Sequence, residues 1–194
     1  AFYSCISLES ADLPDGVEEI ENRAFAGARY MTSARIPQSV HSMGESVFSG
    51  CRSLERMDIP GSIKTVPADT LFGCAALKEL SIGSGIQTIG RRAFGGCTAL
   101  ESVRMPDGVT ELDAMAFMGD SELVSAYIPE SVKIIGAEAF ARCGKLRPIS
   151  LPGGIEDIGA AAFSGCAALA EKDGFVMIGD VCCGYIGDGS SITV

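Results

Sequence analysis

The sequence of 194 residues has little positive charge, with 15 basic residues against 25 acidic ones and a net charge of −10. No run of lysine or arginine occurs. Binding to nucleic acid or to an anionic lipid surface is therefore not expected, because both need a positively charged footprint. No apolar stretch reaches the roughly 18 residues that a membrane-spanning helix needs. The sequence thus predicts no direct insertion into a membrane.

Catalytic motifs are also missing. The one histidine, His41, has serines at 39 and 42 beside it, but a nucleophilic triad needs a base oriented by a carboxylate in a cleft. Gly187-Asp188-Gly189 lacks the lysine and the strand-to-helix context of a phosphate loop. The acidic residues do not have the dense oxygen-ligand spacing of a calcium loop. We expect no catalytic residue, no cofactor and no metal, and we expect that the protein is not an enzyme.

Eight cysteines are present, but no CxxC pair that would indicate a zinc site. Adjacent Cys182 and Cys183 would point to opposite faces of a strand. Six others recur in one column, which also holds Ala28 and Asp120: Cys5, Cys51, Cys74, Cys97, Cys143 and Cys166. Stacked coils roughly 4.8 Å apart would let neighbouring cysteines approach disulfide distance. Three consecutive cysteines and an isolated Cys5 do not suit pairing, however, and small buried thiols are the favoured interpretation.

A repeat of 23 residues runs through the chain. A fixed period between 20 and 50 residues indicates a solenoid, in which stacked coils share one core. Prolines recur at this step, with Gly83 in the one vacant position: Pro14, Pro37, Pro60, Pro106, Pro129 and Pro152. Phenylalanines do the same, with Leu71 in the gap: Phe2, Phe25, Phe48, Phe94, Phe117, Phe140 and Phe163. We expect these rings to stack from coil to coil and to dominate the core.

Each repeat divides into three parts. The first has alternating apolar and polar residues before the proline, as in Leu54 to Pro60, and predicts a half-buried strand. The second, as in Ile86 to Gly90, predicts a short extended segment. The third, as in Arg91 to Cys97, predicts one turn of α- or 3₁₀-helix with phenylalanine pointing inward. Glycine closes the second part at 44, 90, 136 and 159, and we expect a corner with positive φ there.

Two repeats depart from this pattern. One has Pro67 in the glycine position and Leu71-Phe72 where Ala-Phe is usual, so its aromatic residue is displaced by one. The other has Asp113 for glycine and Asp120 for cysteine. We expect Asp120 to accept hydrogen bonds from free backbone N–H groups. Buried without such partners, its carboxylate would destabilise that repeat.

The repeated string L-x-x-[IL]-x-[IL]-P-x-x-[VI]-x-x-I-G-x-x-A-F-x-x-C resembles the BspA-like leucine-rich repeats, also described as the Treponema pallidum type. The resemblance covers roughly residues 1–171. It implies a β-rich leucine-rich repeat solenoid, a right-handed curved coil of about seven 23-residue repeats with short parallel strands on the concave side. It also implies an extracellular, bacterial cell-surface location and a role in adhesion. The family has no catalytic motif that could be transferred to this chain.

We predict two parts of the chain. Residues 1–171 form the repeat array, which opens in the middle of a repeat, and residues 172–194 form an atypical segment leading into a further repeat. Phe175–Ile178 and Val181–Tyr185 are predicted to form a β-hairpin around a Gly179-Asp180 turn, with another strand at Ser190–Val194. The resemblance extends to this segment, which looks like one found within such arrays in gut bacterial surface proteins. Because solenoids need capped end repeats, we expect the chain to be a piece of a longer protein, so the absence of a visible signal peptide does not bear on location.

The polar strand positions should form the concave face, where partners usually bind to such arrays. The candidate residues of that face are Arg35, Arg56, Asp58, Glu79, Ser81, Arg104 and Tyr127. Tyr127 beside Arg104 has the composition of a binding hot spot. The alternative is that Asp12, Arg35 and Asp58 form a cross-strand charge ladder of little energetic value.

Two functions remain open at this point. The first is a non-enzymatic module that binds a protein or glycan partner, of host or microbial origin, through the concave face. The second is a structural spacer whose repeats project another domain from the cell surface. In both cases we expect a monomeric array.

Overall fold

The structure is a computed structural model that describes residues 1–169 together with the backbone of Phe175–Ile178 and Val181–Tyr185. Residues 1–169 form a β-solenoid, as the repeat predicted. The predicted Gly179-Asp180 turn and the predicted strand at Ser190–Val194 lie outside the described residues.

The coils of the solenoid carry strands on two of their sides, except the last described coil, which has only β13 (Asp157–Ile158). In chain order the strands are β1 (Ser10–Asp12), β2 (Glu19–Ile20), β3 (Ser33–Arg35), β4 (Ser42–Met43), β5 (Arg56–Ile59), β6 (Thr65–Val66), β7 (Glu79–Ile82), β8 (Thr88–Ile89), β9 (Ser102–Arg104), β10 (Glu111–Leu112), β11 (Ser125–Tyr127), β12 (Ile134–Ile135), β13 (Asp157–Ile158), β14 (Phe175–Ile178) and β15 (Val181–Tyr185). The odd-numbered strands from β1 to β11 end before the proline position. The two-residue strands, β13 included, occupy the second side.

Strand pairing between coils is parallel and always joins residues 23 apart. On the proline side the pairs are β1 with β3, β5 with β7 and β9 with β11. On the second side β6, β8, β10, β12 and β13 form one continuous sheet, beside a separate β2–β4 pair. The last two strands, β14 and β15, pair antiparallel with an irregular register between Val176 and Met177.

The third side of each coil is a series of hydrogen-bonded turns and not a helix. In the first complete one, the N–H of Phe25 donates to the carbonyl of Val47 in the next coil, at 2.9 Å. The N–H of the following Ala26 donates within the turn, to the carbonyl of Arg23 at 3.2 Å. This alternation satisfies backbone groups both within and between coils. A helix would direct all of these bonds within its own segment.

Two left-handed residues per turn give this side its path. The first column has φ between 52° and 62° although none of its members is glycine: Arg23, Ser46, Asp69, Arg92, Met115, Glu138 and Ala161. The second column, four residues later, is mostly glycine with φ between 73° and 82°: Gly27, Gly50, Gly73, Gly96, Gly119 and Gly165. Arg142 occupies the glycine position of its own coil with φ 63°. Left-handed geometry at both columns is incompatible with a helical turn.

The prediction of positive φ at the corner glycines was wrong. Gly44, Gly90, Gly136 and Gly159 do not belong to the left-handed residues. They are glycine for a different reason, which is the close approach of the preceding coil. A Cβ on Gly136 would lie 2.5 Å from the amide nitrogen of Ala114. No side chain therefore fits at Gly136 without a shift of backbone, although the equivalent corners of two other coils hold Pro67 and Asp113.

The phenylalanine column forms the centre of the core. Five ring pairs on adjacent coils have centroids 5.2–5.4 Å apart, and four of these pairs are parallel within 7°. Leu71 interrupts the stack, is fully buried, and separates the rings of Phe48 and Phe94. Only the ring of Phe2, at the first coil, is largely exposed, with 46% of its surface open. The predicted ring stacking is thus present in two segments.

The cysteine column lies beside the ring stack. Each buried thiol donates to the carbonyl of the residue 26 positions earlier, as Cys143 does to Phe117 at 3.1 Å. The same bond is made by Cys51, Cys74, Cys97 and Cys166. The six cysteines of residues 1–169 are all free thiols, and Cys5 alone among them is exposed. A thiol that packs and donates one weak hydrogen bond agrees with the predicted buried role.

Asp120 is fully buried in this column. Its Oδ1 accepts the N–H of Cys97 at 2.8 Å, as predicted for a residue that satisfies free backbone donors. In other coils that N–H donates to the phenylalanine carbonyl of its own turn, as Cys51 does to Phe48. Asp120 Oδ2 has no hydrogen-bond partner among the described residues. The adjacent ring pair of Phe94 and Phe117 is the tilted one, at 31°.

The coils have a direction, which their backbone hydrogen bonds show. On the turn side, N–H groups donate to the following coil, as Phe117 does to Ala139 at 2.7 Å. On the side of the two-residue strands, N–H groups also donate to the preceding coil, as Gly136 does to Leu112 at 2.7 Å. Each coil therefore presents a different set of donors and acceptors to its two neighbours.

Candidate functional site

The outward side chains of β1, β3, β5, β7, β9 and β11 form one continuous surface, which we call the strand face. Alternation places them there, because side chains along a strand point to opposite sides. In β5, for example, Arg56 and Asp58 are exposed while Met57 and Ile59 are buried. All seven predicted face residues lie on this surface and are exposed: Arg35, Arg56, Asp58, Glu79, Ser81, Arg104 and Tyr127.

The N-terminal part of the strand face is neutralised by its own ion pairs. The guanidinium of Arg35 lies 2.7 Å from the carboxylate of Asp12 and 3.2 Å from that of Asp15. The hydrogen bonds that Arg35 donates to these two carboxylates raise its pKa above the ordinary value. Asp12 and Arg35 directly face each other in the register of β1 and β3. This pair fits the charge ladder considered as the alternative to a binding surface.

Arg56 is the centre of a second group of ion pairs. Its guanidinium contacts Glu79 on β7 at 3.1 Å and Asp58 on its own strand at 3.4 Å. All three side chains are more than half exposed, so the pairs contribute little to stability. Their effect is on the surface potential, because each arginine here has carboxylates beside it.

The C-terminal part of the strand face has a different composition. Arg104 lies directly opposite Tyr127 in the register of β9 and β11. Its guanidinium carbon lies 3.9 Å from the centre of the Tyr127 ring, a cation–π contact. Within residues 1–169, no carboxylate lies within ion-pairing distance of Arg104. The Tyr127 ring remains 41% exposed.

A cavity of about 750 Å³ opens at this end of the strand face. Its polar lining comes from three successive coils: Ser102, Arg104, Ser125, Tyr127, Arg147 and Ser150. Glu130 also contributes to its wall. Volumes of 300–1,000 Å³ are typical of sites that hold small organic ligands.

Proline explains why the cavity forms here. Strand pairing on this side ends at β11, and residues 147–151 do not form a strand. Pro148 occupies the column that holds Ser102 and Ser125 in earlier coils, and its missing N–H cannot donate to a ladder. Neither Arg147 nor the cavity was predicted from the sequence. The signal that could have found them was the substitution of proline in this one column.

A second recess lies on the turn side, where Phe72 is displaced from the ring stack. Arg92 and Asp69 form a side-on ion pair there, with contacts of 2.8 and 3.0 Å. Phe72 supports the guanidinium from beneath, 5.1 Å from its ring centre. The Leu71-Phe72 departure thus moves an aromatic ring from the core to a surface ion pair. The positive charge of Arg92 is therefore already compensated by the carboxylate of Asp69.

The titratable groups elsewhere in residues 1–169 include buried thiols and one exposed histidine. Burial raises the pKa of the Cys51 thiol to about 11 and raises that of Cys97 further from neutrality, so these thiols are poor nucleophiles. His41 is exposed and lies 3.6 Å from Glu18. Among the described residues, no cluster of His, Cys, Asp and Glu could hold a metal ion. None of the helices within that part of the chain has the length and apolarity to span a membrane.

Comparison with known proteins identifies similar arrays. The model of the BspA type leucine rich repeat region matches residues 1–124 and 64–173, in six copies. No curated protein matches the chain. The crystal structure of a T. pallidum leucine rich repeat protein is similar with a TM-score of 0.79 and 29% identity, covering 84% of this chain and 78% of that one.

Two further solved structures are similar over a smaller share of their own length. A leucine-rich repeat protein from Bacteroides ovatus has a TM-score of 0.70 and 28% identity, covering 80% of this chain and 49% of that one. One from Eubacterium ventriosum has a TM-score of 0.74 and 27% identity, covering 82% and 43%. This chain therefore spans less than half the length of either protein.

Proposed function

Because the chain belongs to the BspA-type leucine-rich repeat family, we propose that it is a non-enzymatic module that binds a protein or glycan partner through its strand face. We also propose that it acts outside the cell, at a bacterial surface, in adhesion to a host or microbial partner. The resemblance of its repeats to those of the family supports this location.

The observation that carries the proposal is the contrast between the two ends of the strand face. At the N-terminal end, Arg35 and Arg56 are occupied by neighbouring carboxylates. At the C-terminal end, Arg104 stacks on an exposed tyrosine beside a cavity. Aromatic and arginine side chains at the rim of a recess are the usual composition of a binding hot spot. We therefore assign partner binding to Arg104, Tyr127 and the adjoining cavity.

The test is a binding screen of the whole chain against arrayed surface proteins and glycans. The charge-reversal variant Arg104→Glu with Tyr127→Ala should lose the interactions that the unmodified chain makes. Arg29→Glu with Tyr30→Ala is a matched control, because it makes the same two changes at exposed positions outside the strand face. Binding retained by the control and lost by the first variant supports the proposal.

The spacer function would be favoured by the opposite result. The regular coil-to-coil stacking of the rings suits an elongated support as well as a binding surface. A binding screen that yields no interaction would favour the spacer function. If both double variants bind like the unmodified chain, partner binding does not depend on Arg104 and Tyr127.

A further inference from the structure

We propose that the cavity at Arg104, Tyr127 and Arg147 takes a carboxylated saccharide, such as a short oligomer of uronic acid residues. This inference rests on the proposed function and specifies the chemistry of the ligand. It follows from the charges of the cavity, from its hydroxyl groups and from the position of its aromatic ring.

Charge is the first argument. Arg104 and Arg147 both line the cavity, and Glu130 is the one acidic residue among the described residues of its wall. No ion pair occupies either arginine within residues 1–169. This is a local excess of positive charge on a molecule whose net charge is −10. Arginine presents planar pairs of N–H donors that match a carboxylate, so an anionic ligand would be attracted to this point of the strand face.

The hydroxyl groups are the second argument. Ser102, Ser125 and Ser150 contribute to the lining from three successive coils. Each hydroxyl can donate and accept a hydrogen bond. A ligand that is itself rich in hydroxyl groups satisfies such a surface well. An acidic peptide would bring few hydroxyl groups and would usually rely on apolar anchors in closed pockets, whereas Tyr127 is the one large exposed apolar side chain on the described strand face.

The aromatic ring is the third argument. Arg104 lies one coil before Tyr127 and Ser150 lies one coil after it, and all three line the cavity. The guanidinium covers one face of the ring at 3.9 Å. The exposed remainder of the ring, beside the serines, provides a flat apolar surface for the C–H face of a sugar. The carboxylate would then reach the N–H groups of Arg104 or Arg147.

The experiment is a calorimetric titration of the whole chain with a tetramer of galacturonate. Its fully methyl-esterified form is the matched ligand control, because it keeps the sugar backbone and removes the charge. A hyaluronate tetrasaccharide tests a second uronic acid, and tetraglutamate tests an acidic peptide. We expect binding of at least one uronic acid oligomer, a loss of tenfold or more in affinity on esterification, and weaker binding as salt is raised.

Protein variants locate the site. Arg104→Gln and Arg147→Gln should each weaken binding of the uronic acid oligomer by about tenfold, and Tyr127→Ala should do so more than Tyr127→Phe. Arg29→Gln is the matched control, because Arg29 is an exposed arginine outside the strand face, and the affinity of this variant for the uronic acid oligomer should change less than twofold. All of these side chains are exposed, and a thermal melt of each variant verifies its folding.

Three results would overturn the inference. The first is binding of the esterified oligomer as tight as that of the charged one. The second is tighter binding of tetraglutamate, which would make the ligand an acidic peptide. The third is no binding of either uronic acid oligomer at millimolar concentration. In each case the proposed function stands if the arrayed screen still finds a partner that depends on Arg104 and Tyr127, so the two failures are distinguishable.

Discussion

Asp120 is the residue whose chemistry differs most from its column. Every buried thiol of this column donates a hydrogen bond to a carbonyl, whereas a carboxylate can only accept. Burial raises the pKa of Asp120 well above its ordinary value, against the opposing effect of the N–H groups of Cys97 and Gly96. Oδ2 is left without a partner. The protonated form suits this position, because it supplies the donor that the cysteine column otherwise provides.

The variant Asp120→Asn should therefore be more stable than the unmodified chain at neutral pH. The neutral carboxyl stabilises the fold fully below the unfolded-state pKa, near 3.8. As pH rises above that value, the unfolded chain ionises first and this contribution is lost, by up to about 1.4 kcal/mol per pH unit until the folded carboxyl ionises. Asparagine does not ionise, and its amide can both accept and donate.

Urea unfolding of both proteins between pH 4 and pH 8 is the measurement. The difference in free energy of unfolding should be small near pH 4 and should grow in favour of Asp120→Asn as pH rises. Parallel curves for the two proteins would mean that Asp120 does not titrate differently in the folded and unfolded states.

At the same scale, the sequence allowed some residue roles to be predicted and not others. The role of Asp120 as an acceptor of a backbone N–H could be predicted, because the 23-residue period identifies its neighbours on adjacent coils. The reason for the corner glycines did not follow. A glycine at a turn is equally consistent with positive φ and with close backbone approach, and only the backbone conformation of Gly136 and the distance from its would-be Cβ to Ala114 separate the two.

At the scale of elements, the corner between the second and third sides of a coil is a point of close packing. The path of the chain there brings adjacent coils into direct backbone contact. Their inter-coil hydrogen bonds depend on this approach, as in the bond from Gly136 to Leu112 at 2.7 Å. A side chain at Gly136 would push its coil away from the preceding one and weaken these inter-coil hydrogen bonds.

Gly136→Ala should accordingly lower the free energy of unfolding by about 1–3 kcal/mol, because its Cβ would overlap the amide of Ala114. Gly144→Ala is the control, since a Cβ at Gly144 meets no atom within 4 Å and its φ is not positive. The control should change stability by less than about 0.5 kcal/mol. Chemical denaturation of the two variants is the measurement, and equal losses would refute the role of coil contact.

The strand face shows the limit of column reasoning for elements. Alternation correctly placed the exposed residues, because that depends on backbone geometry alone. It did not reveal that Arg35 and Arg56 are occupied by carboxylates while Arg104 lies over Tyr127. Such pairings depend on side-chain conformation and on three or four neighbours at once. The cavity depends further on the loss of strand structure at Pro148.

For the whole molecule, the ring stack packs each coil against the next within one shared core. Phe117 lies at the middle of the longer segment, between Phe94 and Phe140, and is fully buried. Because each coil contacts only its neighbours, a defect at this point interrupts packing between the two halves of the array. A defect at the first coil affects only one end.

Phe117→Ala should lower the free energy of unfolding by about 3–5 kcal/mol. Phe2→Ala removes the same atoms from a ring that is 46% exposed and should cost much less, about 1 kcal/mol. Phe117→Leu should fall between them, since leucine is accommodated at the equivalent position 71. Urea unfolding followed by circular dichroism measures all three, and equal effects of the two alanine variants would contradict a core shared between coils.

The overall architecture was the part most open to prediction from sequence. A side chain that recurs every 23 residues occupies the same environment in each coil. A departure at a single position, such as Leu71 or Asp120, therefore does not obscure the pattern. The local specialisations have no such redundancy, because each occurs once. They are the features on which the proposed binding chemistry depends.

The opposite directions of the hydrogen bonds on two sides of each coil have one more consequence. A coil fits its neighbours in a single orientation, because the donors and acceptors that it presents to the following coil differ from those that it presents to the preceding coil. A duplicated block of 23 residues, inserted in phase, would find both of its interfaces already complementary. Arrays of this kind can therefore grow or shrink by whole units during evolution, while an insertion of any other length breaks the phase.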